Sequence, residues 1–184
     1  MKIVIYGASG MVGRGMLNQS LSASDVEKVI IVVRKSLNIQ HDKLSEIVTS
    51  DLNQTHDLAI IKDFDACFYC LGVSASGMTE VQYSAINYDL TINIAKALQA
   101  NNPNMTFVYI SGAGTDSTEK GKIMWARVKG KTENTLKSMN FKAVYLLRPA
   151  MIQPLDGIES QTKSYRIFSL YTTNFTEPLS YQGS

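Results

Sequence analysis

The sequence predicts an α/β fold, a doubly wound parallel sheet with helices on both faces. Three observations predict it. Short apolar runs alternate with stretches of helical periodicity along most of the 184 residues. Runs such as Val29–Val33 are continuous rather than alternating, as in parallel strands covered on both faces. Most runs end in glycine, serine or a basic residue, and right-handed crossovers bring such strand ends to one edge of the sheet.

Lys2–Tyr6 is the first strand. Gly7-Ala8-Ser9-Gly10-Met11-Val12-Gly13 follows at once, and Met11, Val12, Met16, Leu17 and Leu21 then recur at helical spacing. Strand, glycine turn and helix in that order suit a dinucleotide. Gly7 permits the tight turn, Gly10 leaves room for a pyrophosphate, and Gly13 lets the helix lie close to the strand. The helix N-terminus offers unpaired N–H groups and partial positive charge to phosphates. The alternative is a turn that only packs helix on strand.

Ser22-Ala23-Ser24-Asp25 breaks the helix, and Val29–Val33 is the second strand. It ends in Arg34-Lys35, at the place where an acid would bind the ribose hydroxyls of NAD. A guanidinium and an ammonium suit a 2′-phosphate instead, so the expected cofactor is NADP(H), with NAD(H) the lesser expectation. The alternative is a pair of exposed charges. Leu44–Thr49 is the third strand and leads into Asp51-Leu52, where Asp51 suits the cap of a turn or short helix around residues 53–61. Asp65–Leu71 is the fourth strand. Its end, Leu71-Gly72-Val73, is small enough for a cofactor ribose to lie across it.

Val81–Ala100 is a long helix containing Asn87 and stopped by Asn101-Asn102-Pro103-Asn104. Phe107–Ile110 is the fifth strand, ending in Ser111-Gly112-Ala113-Gly114. Gly121–Met139 is a helix carrying Trp125 and Lys129, and Lys142–Leu147 is the sixth strand, ending in Arg148-Pro149. After residue 150 the pattern weakens. Gln153–Gly157 suits a turn, Tyr165–Tyr171 a short amphipathic helix, and the end a frayed tail. Residues 1–184 are expected to form one dinucleotide-binding domain, with 151–184 as a reduced tail or substrate segment.

The composition is that of a globular protein, 45% hydrophobic and 18% charged. A net charge of +2 gives no reason to expect nucleic acid or a membrane surface. No apolar run reaches the length of a membrane span. The apolar start is too short for a signal peptide and runs into the glycine turn, so a cytoplasmic location is the default expectation. Cys67 and Cys70 form a Cys-x-x-Cys pattern within a strand. Three residues of strand separate their Cα atoms by about 10 Å, too far for a disulfide, so they are expected to pack as small hydrophobes. His41 and His56 lie in polar stretches without a metal-ligand constellation. No metal is expected. The partner expected is a small-molecule substrate, and the apolar helix Val81–Ala100 permits a homodimer.

The Gly-x-x-Gly-x-x-Gly spacing, Asp51-Leu52, Ser111, Lys129 and Leu147-Arg148-Pro149 together resemble the extended and atypical short-chain dehydrogenase/reductase superfamily. That superfamily includes NAD(P)-dependent epimerases and dehydratases, and within it the chain is similar to the Tat-interacting oxidoreductase-like group. The resemblance covers about residues 1–155. It implies a Rossmann fold, Asp51 at the adenine, Asn87 supporting an active-site water or the lysine, Ser111 positioning a substrate carbonyl, and Lys129 on the nicotinamide ribose. It also implies a tyrosine four residues before the lysine, exchanging the proton. An i, i+4 offset puts two groups on one helix face, and a nearby ammonium brings a phenol toward neutral pH.

Here that residue is Trp125. An indole N–H donates a hydrogen bond but exchanges no proton near neutral pH. Trp125 therefore suits substrate positioning or plain packing, and Tyr83, Tyr88, Asp116 and Glu119 are possible replacement acids. Two functions are open. One is an NADP(H)-dependent oxidoreductase or epimerase/dehydratase-like enzyme acting on a small carbonyl or hydroxyl substrate with a non-standard proton donor. The other is an inactive NADP(H)-binding redox-sensing regulator.

Overall fold

The computed structural model describes residues 1–53, 60–150 and 152. Six strands form one sheet: β1 (Lys2–Tyr6), β2 (Lys28–Val33), β3 (Leu44–Val48), β4 (Ala66–Tyr69), β5 (Thr106–Ile110) and β6 (Ala143–Leu147). Their order is β3-β2-β1-β4-β5-β6 and every pairing is parallel. This is the doubly wound order, and chain direction across the sheet reverses between β1 and β4. The helices are α1 (Met11–Ser22), α2 (Glu80–Ser84), α3 (Leu90–Asn101) and α4 (Met124–Lys137). The predicted helix around residues 53–61 falls for most of its length outside the described residues. The turn, helix and frayed end predicted beyond residue 152, and His56, lie there too.

Two apolar layers hold the sheet. On one face Ile3, Ile5, Val29, Ile31 and Val33 pack with Leu17 of α1. On the other, Val4, Tyr6, Cys67, Tyr69, Phe107 and Tyr109 pack with Ile94 and Leu98 of α3 and Leu136 of α4. Alternate residues of each strand serve opposite layers, which is why the strands are apolar throughout. Cys67 is fully buried in this core and Cys70 lies just past β4, both as free thiols.

The long predicted helix differs in one respect. Between α2 and α3 the chain makes a π-turn, Ala85–Asp89. The carbonyl of Asn87 accepts hydrogen bonds from Thr91 Oγ1 at 3.1 Å and from Thr132 Oγ1 of α4 at 3.0 Å. Hydroxyls from two helices satisfy it, and such turns cluster at functional sites. The helix opens on a capping box, in which Thr79 and Gln82 satisfy one another's backbone N–H groups.

Candidate functional site

The strand ends on one edge converge at the reversal point between β1 and β4, and the glycine turn is built there. Gly7 has φ +81, and a Cβ on it would lie 2.8 Å from the backbone of Cys70. A Cβ on Gly13 would lie 2.1 Å from the Gly7 carbonyl oxygen, so α1 meets the turn backbone to backbone. Gly10 is different. A Cβ there would meet only Gly7 O, at 3.4 Å. The space above Gly10 is open, as a bound pyrophosphate requires.

Gly10 caps α1 without a side-chain hydrogen bond, and no acid lies in the first turn. The first N–H to bond back is that of Arg14, to Gly10 O at 2.8 Å. The N–H groups of Met11, Val12 and Gly13 precede it and are open to an anion. Ala8 is buried, whereas Ser9 is exposed at the tip. These residues fit the phosphates of a dinucleotide.

Arg34 and Lys35 are exposed after β2 and form no ion pair with an acid among the described residues. Asp51 is exposed after β3. Its carboxylate accepts the Asn53 N–H at 2.9 Å, and Thr49 Oγ1 bonds its backbone, so it holds the turn in the manner of a cap. Leu52 and Leu71 pack on the core, while Gly72 and Val73 are exposed beyond β4. A Cβ on Gly72 would lie 3.4 Å from Asn87 Oδ1, which is buried and has no hydrogen-bond partner among the described residues.

The second half of the site joins the end of β5 to α4. Ser111 is 7% exposed, and its Oγ hydrogen-bonds Thr115 Oγ1 at 2.9 Å. Thr115 donates to Gly112 O at 2.7 Å. Trp125, Lys129 and Glu133 succeed one another at single-turn spacing along α4. The Trp125 ring covers the loop, with ring atoms 3.8 Å and 3.5 Å from the Cβ positions of Gly112 and Gly114. Lys129 Nζ lies 3.4 Å from both Ile110 O and Ser111 O, and 5.4 Å from the centre of the Tyr109 ring. Burial lowers its ammonium to about 8, although the Glu133 charge opposes this.

Glu133 is fully buried and receives the guanidinium of Arg148, with Nε to Oε1 at 2.9 Å. Burial pushes its carboxyl up. The hydrogen bonds and charge of Arg148, helped by the nearby Ser111 hydroxyl, outweigh burial and hold it below the usual carboxylate range.

Of the replacement acids suggested by the sequence, Tyr83 is buried and the other three are engaged elsewhere. Tyr83 is 2% exposed, and burial pushes its phenol up to about 12. Tyr88 lies under Lys131 Nζ at 4.2 Å, with its hydroxyl 3.3 Å from Thr135 Oγ1. The Asp116 carboxylate accepts from Thr118 Oγ1 at 2.6 Å, Gly121 N at 2.7 Å and Thr118 N at 2.9 Å, which holds it ionised. Glu119 accepts from Asn134 Nδ2 at 2.7 Å. Sequence reasoning missed Thr115 and the Glu133–Arg148 pair. The available signal was a glutamate one helical turn beyond Lys129.

A parallel sheet in this order, with a glycine turn at its first crossover, defines a dinucleotide-binding Rossmann domain. The chain belongs to the NAD(P)H-binding family, whose profile matches residues 7–163. It is 30% identical to the protein FMP52, mitochondrial, of Candida glabrata over 151 residues, 81% of this chain and 63% of that one. It is also 30% identical to the leucinostatins biosynthesis cluster protein T of Purpureocillium lilacinum over 175 residues, 93% of this chain and 62% of that one. The chain thus spans under two thirds of the length of these relatives.

Among solved structures it resembles a UDP-glucuronic acid 4-epimerase from Bacillus cereus in complex with NAD. The TM-score is 0.65 at 17% identity, over 83% of this chain and 57% of that one. A short-chain dehydrogenase/reductase from Saccharomyces cerevisiae gives 0.66 at 13%, over 95% and 84%. At these identities the likeness is one of fold. The cytoplasmic expectation is overturned: several curated relatives are named mitochondrial, and the default from composition does not stand against them. Composition failed here because it carries no address. No helix among the described residues is long and apolar enough to cross a membrane.

Proposed function

We propose that this chain is an NADP(H)-dependent oxidoreductase or epimerase-like enzyme acting on a small carbonyl or hydroxyl substrate, with a proton donor other than a phenol. One observation carries the reading: the open glycine turn, the basic pair after β2, Ser111 and Lys129 all stand on one edge of the sheet. The bound nicotinamide would supply or accept the hydride. The turn from Gly7 to Gly13 holds the pyrophosphate, and Arg34 with Lys35 holds a 2′-phosphate. Leu71, Gly72 and Val73 line the ribose, and Asp51 with Leu52 borders the adenine. Ser111 orients the substrate oxygen and Trp125 stacks beside it. Turnover is slow because no phenol stands one turn before Lys129.

Fluorescence titration with NADPH and NADH tests the cofactor. NADPH binds more tightly, and Arg34→Ala weakens it by about 1.5–3 kcal/mol, the range for a hydrogen bond to a charged group. Equal affinity for the two cofactors rejects the NADP assignment. Cofactor oxidation against a panel of aldehydes and ketones tests the reaction. A second reading, a cofactor-binding redox-sensing regulator without turnover, is favoured by Trp125 in place of the acid and by the engagement of Ser111 with Thr115. Intact NADPH binding with no turnover on any carbonyl selects it.

A further inference from the structure

We propose that Lys129 is itself the proton donor of this site, acting from the end of β5 beside Ser111. The inference rests on the oxidoreductase reading above. Reduction of a carbonyl leaves an alkoxide that needs a proton, and a donor must be within hydrogen-bond reach of that oxygen. Trp125 cannot serve. Tyr83, Tyr88, Asp116 and Glu119 are buried or committed to other partners. Lys129 Nζ, by contrast, is held 3.4 Å from Ile110 O and from Ser111 O, at the strand end that carries the substrate-orienting hydroxyl. Its ammonium has three N–H donors. Two are directed at these carbonyls, which leaves one for a substrate oxygen.

The surroundings suit the task. Facing Lys129 are the Tyr109 ring from β5, Glu133 one turn along α4 with Arg148 of the β6 end against it, and Tyr83 of α2 beyond Tyr109. Burial raises both tyrosines, so they stay neutral at physiological pH. Glu133 is ionised but bound to Arg148, so it stabilises the ammonium weakly and burial prevails. With its pKa near 8, Lys129 is mostly charged at neutral pH and gives up its proton readily. That match between pKa and working pH is what a general acid needs.

In the step, the hydride from the reduced nicotinamide bonds to the carbonyl carbon and the C=O π pair passes to oxygen. An O–H bond forms as an Nζ–H bond of Lys129 breaks. The products are alcohol, oxidised cofactor and neutral amine, and the amine regains its proton from solvent water.

The test has two readouts on the whole chain. The first needs no turnover: an NMR titration of the lysine Cε and Nζ signals, with Lys129→Arg identifying the resonance. A midpoint near pH 8 is expected, and one above 10 overturns the proposal. The second is carbonyl reduction against pH. Wild-type kcat falls as pH rises through 8, because the ammonium is the active form. Lys129→Arg keeps the charge but holds its proton, so kcat falls about 10²–10⁴-fold, measured at saturating NADPH. Trp125→Tyr added to it restores turnover by supplying a phenol. If Lys129→Arg does not fold, as judged by circular dichroism, Lys129→Met replaces it. Wild-type turnover with an unchanged rate and pH profile in the variant sinks the proposal alone. Tight NADPH binding without wild-type turnover sinks the oxidoreductase reading, and this proposal with it.

Discussion

Three glycines within a span of seven residues have three different duties. Gly7 is required by its positive φ, and Gly13 by the backbone of the turn against it. Gly10 is required by neither, since its φ is negative and a Cβ there meets only Gly7 O, at 3.4 Å. Gly10→Val therefore leaves the secondary structure intact by circular dichroism while NADPH binding is lost to titration. A folded variant that still binds shows that this turn is not the phosphate cradle. The sequence spacing displayed all three glycines. It could not separate the packing pair from the binding one, because that depends on what faces each Cβ position.

At the scale of the element, α4 organises the chemical half of the site. Its packing is set by Gly130, where a Cβ would lie 1.7 Å from Asp116 O, so the helix lies directly on the loop after β5. That contact fixes the height of the Trp125–Lys129–Glu133 face relative to Ser111. Trp125→Tyr places a phenol one turn before Lys129 without altering the helix. Turnover on small carbonyls should rise by part of the roughly 10²–10⁴-fold that a positioned acid supplies, read as NADPH oxidation. An unchanged rate shows that the added phenol takes no part beside Lys129, and a lower one that it obstructs the substrate. The existence of α4 and its i, i+4 pairing were legible in the sequence. The π-turn beside it was not, because its bonding partner, Thr132, lies in another helix 45 residues away.

At the scale of the molecule, the two ends of the last crossover are clamped by Glu133 and Arg148. A bidentate guanidinium on a fully buried carboxylate ties α4 to the end of β6. Arg148→Met leaves a buried charge alone, which costs about 3–5 kcal/mol for a fully buried pair. The value here falls toward the lower end, since the Arg148 side chain is 38% exposed. Urea denaturation measures the loss, and an equal melt for variant and wild type would refute the clamp.

The sign of the pH effect follows from the lowered carboxyl of Glu133. Its contribution is present above the ordinary glutamate pKa and is lost as pH falls through the lower folded value. The doubly wound parallel class was legible from the alternation of apolar runs and helical stretches, whereas the order β3-β2-β1-β4-β5-β6 is set by where each crossover packs. The clamp was not legible, since its partners stand 15 residues apart and meet only after the crossover closes.

The protein has a single tryptophan, and it lies over the loop that follows β5. All of its indole emission therefore originates within the site, beside a row of tyrosines that begins at Tyr109 and continues through Tyr69 to Tyr6, with ring centres 6.1 Å and 5.6 Å apart. Light absorbed along that row drains toward Trp125, and a reduced nicotinamide nearby would drain it further. The molecule thus carries its own optical gauge of occupancy, and no label is needed to follow the crevice filling.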